Sequence, residues 1–191
     1  MGAQELATTF IEKLNQVPCH QEDEENEEND IQIDEEDKGG IARKIGSFTQ
    51  FREAARKRWA IETLALGNDP FGAVEVVRRL EANQSVALLM DRPPASTSVP
   101  VTLFGRPFAA SISAAELARA TGCVLLPVYL PRTSRGYAAQ ILPAIQYDRR
   151  EIATREKRIE LTQRIIQTFE PALRLYVNQW FHFVPIWPDP I

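Results

Sequence analysis

The chain has only two histidines, His20 and His182, and two cysteines, Cys19 and Cys123, among its 191 residues. That scarcity excludes the spaced Cys/His sets of structural zinc sites, and two cysteines make no disulfide framework. A glycine-rich phosphate loop and a Gly-x-Ser-x-Gly elbow are also missing, which removes P-loop nucleotide binders and elbow-type hydrolases. No stretch reaches the ~18–20 apolar residues that a spanning helix needs. Met1 to Pro18 lacks the apolar centre of a secretory leader, because Glu5, Glu12 and Lys13 interrupt it. Leu6 stands where N-myristoylation wants Ser or Thr. No internal repeat is visible.

What is present is segregated charge. Eleven acids and no base lie between Glu22 and Asp37, whereas from Lys38 onward 21 Lys/Arg face 13 Asp/Glu. Dense like charge with almost no apolar mass reads as disorder, so residues 1–40 are expected to be an acidic, largely disordered segment with a short helix at most. Residues 41–191 are expected to form the folded domain, and a basic domain suits anionic phosphate-bearing partners. Nucleic acid is the weakest of these, since the Arg-rich 43–58 stretch shows no recognisable module or interleaved aromatics.

Local patterns predict the elements. Ile41–Trp59 reads as a basic helix, Ile61–Leu66 as a short strand, and Phe71–Glu81 as a helix opened by Asn68-Asp69-Pro70. Val86–Met90 is an apolar run of strand length. Val101–Phe104 reads as a brief strand, left through a Gly105-Arg106-Pro107 turn. Ser111 or Ser113 can cap a helix to Thr121, with Glu116 placed for a capping box and Gly122 as a left-handed end. Val124–Leu130 and Tyr137–Leu142 read as strands, with Cys123 a buried thiol beside the first. Arg149–Tyr176 reads as a long helix that Pro171 kinks or divides. This order predicts an α/β domain, a mixed sheet flanked by helices.

Four blocks carry the chemistry: Val86-Ala-Leu-Leu-Met-Asp91-Arg92, Leu103-Phe104-Gly105-Arg106-Pro107-Phe108, Leu125-Leu126-Pro127-Val128, and Gln179-Trp180 through His182 to Trp187. Asp91 and Arg92 follow an apolar run, and crevices for ligands lie beyond the carboxyl ends of strands. A guanidinium there suits a phosphate or carboxylate, or else forms a structural Asp–Arg pair. Phe104 to Phe108 joins a flexible glycine, a cation and two aromatics, either an anion-binding loop or a hydrophobic plug. Pro127 in a strand demands an edge or bulge. Glu116 and Arg119 read as a salt-linked helix face, and the tryptophans as anchors of the last helix.

In order and spacing, these blocks resemble the C-terminal half of the lysophospholipid acyltransferase fold, and most closely the late acyltransferases of lipid A biosynthesis. The resemblance runs from about Arg52 to Trp187. It implies a partial acyltransferase-type fold and transfer of an acyl chain from acyl carrier protein or CoA to a hydroxyl of a glycolipid or lysolipid. No metal or redox cofactor follows from it. The implied substrate-binding residues are Asp91, Arg92, Phe104, Gly105, Arg106 and Phe108. Arg92 and Arg106 would hold an anionic headgroup, while Phe104 and Phe108 would border an acyl path; Arg92 departs from the Gln usual in these enzymes. The family's catalytic His-x4-Asp/Glu precedes these blocks. Here only His20 and Glu25 meet that spacing, inside the acidic run, so the chain is expected to lack the catalytic half, which a separate N-terminal piece would have to complement. The resemblance thus implies either a member of the enzyme family or a non-catalytic relative that binds anionic lipid or a protein. It places the chain in the cytoplasm, on the inner face of a bacterial inner membrane.

Overall fold

The computed structural model describes residues 51, 54–58, 60–64, 70–180 and 186–187. The acidic segment and the 40/41 boundary lie outside them. Contacts divide the described residues into a larger unit from Val77 onward and a smaller one ending at Val76. In the smaller unit, residues 54–58 are helical, and 61–64 have no regular structure where the start of a strand was expected. Helix α1 (Pro70–Glu81) begins on its proline, the position where a missing N–H costs nothing.

The larger unit is organised around an antiparallel hairpin, β1 (Ser98–Leu103) and β2 (Arg106–Ser111). Alternation sends Val99, Val101 and Leu103 inward from β1, and Phe108 and Ala110 inward from β2. The prolines are placed by ladder geometry. Leu103 and Arg106 close the turn as a hydrogen-bonded pair, so Thr102↔Pro107 and Pro100↔Ala109 fall on non-bonded pairs. Pro100 and Pro107 therefore break no ladder bond.

One helix covers the hairpin, and a second packs against that helix. Helix α2 (Ser113–Thr121) brings a small-residue face, with Ala114, Ala115 and Ala118 buried, and ends on Gly122 at φ 73°. Its expected capping box does not form: Ile112 is the N-cap, and the Glu116 carboxylate pairs with Arg158 at 2.8 Å instead. The Ser111 hydroxyl, at 3.3 Å, accepts from the Ser113 N–H. Helix α3 (Arg155–Leu175) starts later than periodicity predicts, because a 3-10 turn at Glu151–Ala153 precedes it and the Thr154 side chain caps it. Leu161, Thr162, Ile165 and Ile166 form its buried stripe. The helix runs through Pro171 undivided. Buried Thr162 donates its hydroxyl to the Arg158 carbonyl at 2.8 Å, which satisfies its polar atom.

Side chains of α3 also dress the outer edge of β1. The Gln163 amide takes the Thr102 N–H at 2.6 Å and returns a hydrogen bond to the Thr102 carbonyl at 2.8 Å, in the manner of another strand.

Residues 125–145 form a second ribbon, crossed by prolines. Leu125 bridges Ile145; β3 (Val128–Tyr129) pairs β6 (Gln140–Ile141), and β4 (Arg132–Thr133) pairs β5 (Gly136–Tyr137). The single buried strand expected at Val124–Leu130 is thus a broken one. Pro127 interrupts it, and Val124 and Leu130 are more than half exposed. The strand expected at Tyr137–Leu142 is likewise split in two. Val86–Met90 is not a strand either. Leu89 is 77% exposed, and the run's tie to the hairpin is the Met90 carbonyl, which accepts from the Ser111 N–H at 2.9 Å. Among the described residues there are three separate two-stranded antiparallel sheets with helices, where one mixed sheet was expected. Cys123 is half-buried, with its thiol unbridged.

The β1–β2 turn has two central residues, Phe104 at φ 54° and Gly105 at φ 76°. Positive φ at both is the mark of a type I′ turn, whose twist matches the strands it joins. A Cβ added at Gly105 would meet nothing within 4 Å. Gly105→Ala should therefore destabilise the chain through backbone strain alone, by about 1–2 kcal/mol, read as a lower urea midpoint. A neutral result would contradict the turn assignment.

Candidate anionic-headgroup site

The hairpin tip gathers residues that the sequence scatters. Phe104 is bulky and not β-branched, yet it occupies the left-handed region, a conformation that costs on the order of 1–3 kcal/mol and persists only where surroundings hold it. Three contacts hold it. The Glu170 carboxylate accepts its N–H at 2.9 Å. The Arg174 guanidinium lies 4.7 Å over its ring. Trp187 meets the ring edge-on, with centroids 6.4 Å apart at 65°. Glu170 and Arg174 are four apart on α3, so one helix face supplies both the anion on the backbone and the cation on the ring.

Arg106 follows the turn and is exposed. Its guanidinium lies 4.9 Å over the Trp187 ring, while the Trp187 indole N–H donates to the Pro107 carbonyl at 2.7 Å. The tryptophan is thus fixed to the strand whose arginine it supports. A guanidinium over a ring is held by the ring's negative face and still has N–H donors to offer a two-oxygen partner. Arg106 and Arg174 therefore attach to opposite members of one aromatic pair, at the exposed end of the hairpin.

The other expected site residues separate by role. Asp91 accepts from the Trp180 indole N–H at 2.9 Å, and that ring packs on Phe108 with centroids 6.2 Å apart. Arg92 is exposed beside it. Phe108 is 6% exposed and belongs to the core; strand alternation points it inward with Ala110, which places it in the core and away from the surface path it was expected to border. Phe104 is half-buried. Gly105 contributes backbone conformation. His20, Glu25 and His182 lie outside the described residues. The last segment does act as an anchor: besides the two indole bonds, the Gln179 amide grips the Arg132 N–H at 2.6 Å and the Arg132 carbonyl at 3.2 Å.

Glu170, Arg174 and Gln163 were not found by sequence reasoning. Their spacing along one helix face was the available signal, but it points equally to a solvated surface.

A shallow cleft of about 220 Å³ lies elsewhere, lined by Gly122, Cys123, Ile145, Tyr147 and Arg149 among others. Its polar groups serve the end of α2. The Tyr147 hydroxyl donates to the Cys123 carbonyl at 2.5 Å, and Arg149 donates to the carbonyls of Arg119 and Ala120. Burial, reinforced by Cys123 and opposed by Arg149, holds the Tyr147 phenol above its ordinary range. Among the described residues, no group of three or more His, Cys, Asp or Glu could hold a metal, and no helix is long and apolar enough to cross a membrane.

Comparison with known proteins gives the chain a family. Over 141 residues the chain is 28% identical to the phosphatidylinositol mannoside acyltransferase of Mycobacterium tuberculosis, in both strain CDC 1551 / Oshkosh and strain ATCC 25618 / H37Rv. The match covers 73% of this chain and 42% of each relative, so the chain spans less than half the length of these curated relatives. Residues 43–188 match the bacterial lipid A biosynthesis acyltransferase family. That stretch includes the hairpin, its turn and the helix that clamps it, and the chain belongs to this acyltransferase family.

Proposed function

We propose that the chain serves acyl transfer from a thioester carrier, acyl carrier protein or CoA, to a hydroxyl of a phosphate-bearing glycolipid or lysolipid. Its part is to hold the acceptor's anionic headgroup at the hairpin tip. The observation that carries this reading is Arg106: an exposed guanidinium beside a two-residue turn, set over the ring of a tryptophan that is itself fixed to the strand. Family membership supplies the reaction class, and the relatives' acceptor, as named, is a phosphoglycolipid. Arg92, exposed beside Asp91, is a second cation for the acceptor, Gly105 lets the turn close, and Phe104 borders the acyl path. Phe108 supports them from the core, and Asp91 positions Trp180.

The same geometry serves a member that binds its acceptor without turning it over. The observation favouring that reading lies in the sequence, where the His-x4-acid spacing occurs only at His20–Glu25 in the acidic run.

The test is binding of a phosphate-bearing glycolipid in neutral detergent, followed by tryptophan fluorescence. A charge-assisted contact contributes roughly 1.5–3 kcal/mol, so Arg106→Ala should weaken binding about tenfold or more. Unchanged binding in the Arg92→Ala/Arg106→Ala double variant would remove the site assignment.

A further inference from the structure

Arg174, in the last turn of α3, has the same local arrangement as Arg106 and no role in the acceptor site proposed above. Its guanidinium lies 4.7 Å over the Phe104 ring, as that of Arg106 lies 4.9 Å over Trp187, and the two ring centroids are 6.4 Å apart. Three contacts in series, none longer than 6.4 Å, therefore join the two cations. A headgroup of one phosphate with one or two sugar rings is long enough to bridge them. Both side chains are exposed.

Phe104 does not need Arg174 to stay in place. Trp187 meets its ring, and the Glu170 carboxylate accepts its N–H at 2.9 Å. That hydrogen bond also decides the charge at the tip. Glu170 stands one turn before Arg174, where a helix would normally pair the two, but its carboxylate is spent on the Phe104 backbone. Among the described residues, no carboxylate lies within ion-pair distance of Arg106 or Arg174. The neighbouring sequence adds none, since Asp and Glu are absent from Arg92 to Ala115 and from Pro171 to Pro188. Like charges gathered at one exposed tip raise the potential that draws an anion there.

We propose that Arg174 is a second binding residue for the acceptor's phosphate-bearing headgroup, so that Arg106 and Arg174 grip it from the two rings of one aromatic pair. This rests on the headgroup reading of Arg106 and adds to it a residue of the last helix. Each guanidinium gives its face to a ring and keeps N–H donors for oxygens of the ligand.

The test is binding of phosphatidylinositol in neutral detergent to the full chain, followed by tryptophan fluorescence, with inorganic phosphate as a competitor in a second arm. Loss of one charge-assisted contact should cost Arg174→Gln about tenfold in affinity, and the difference should shrink as salt rises. Its urea midpoint should move little, because the side chain is exposed. Arg174→Lys keeps a cation for the Phe104 ring but not the forked N–H donors, and should still bind about threefold or more weakly. Arg155→Gln, at the far end of the same helix, should bind like the unchanged chain. If Arg106→Ala loses affinity and Arg174→Gln does not, the proposal is overturned while the Arg106 site stands. If both bind normally, the headgroup reading itself fails and takes this proposal with it. A loss that Arg174→Lys restores in full, or that comes with a clearly lower urea midpoint, would make Arg174 a brace for Phe104 and overturn its part in binding. Displacement of the lipid by inorganic phosphate at equal concentration would also overturn it, as a general anion site needs no headgroup.

Discussion

Leu103→Ala is expected to cost about 2–5 kcal/mol of folding free energy, the range for truncating a fully buried leucine. Leu103 is 1% exposed, the last residue of β1, and belongs to the cluster with Leu161 and Ile165 of α3. Domains of this size are stable by only about 5–15 kcal/mol, so the loss is a large fraction of the whole and should appear as a lower urea midpoint. Because Leu103 directly precedes the Phe104–Gly105 turn, the variant should also loosen the clamp from Glu170 and weaken headgroup binding. Leu175→Ala, at an exposed position on the same helix, should stay within about 0.5 kcal/mol of the unchanged chain. Equal effects from the two would contradict the packing of the hairpin on α3.

The helices were legible in the sequence because their signals are local. Gly122 marked the end of α2, and the long helical pattern from Arg149 to Tyr176 marked α3. The strands were legible only in part. β2 was hidden because Gly105 and Pro107 read as a loop, and only the pairing register shows that prolines at non-bonded positions cost nothing. Val124–Leu130 and Val86–Met90 have strand composition, yet the first is cut by Pro127 and the second pairs with no strand, with Leu88 and Leu89 exposed. Composition reports what a segment could bury, whereas pairing depends on a partner that no local window contains. The site divides similarly. Arg106 and Gly105 could be picked out from one short block. The clamp could not, since Glu170 reaches Phe104 across 66 residues of sequence.

The remaining large effect concerns turnover. A general base contributes typically ~10²–10⁴-fold and must lie within about 3 Å of the proton it removes. The transfer to a hydroxyl proposed above would call on such a base, for which the chain offers His20 and His182. Around His20 the spacing to an acid carries little information: with eleven acids between residues 22 and 37, an acid falls at almost any offset. His182 lies in a run of aromatic and apolar residues, Trp180-Phe-His182-Phe-Val, with no acid within six positions on either side. We therefore expect the chain to bind acceptor without processing it.

The direct measurement is an acyl-transfer assay on the purified 191-residue chain, supplied with an acyl thioester carrier and a phosphate-bearing glycolipid. The predicted result is a rate equal to the buffer control, under conditions where the same preparation binds the glycolipid and Arg106→Ala does not. Turnover that disappears in His20→Ala would contradict the account and make His20 and Glu25 the catalytic pair. Turnover lost only in His182→Ala would contradict it equally, by placing the C-terminal segment at the reacting hydroxyl.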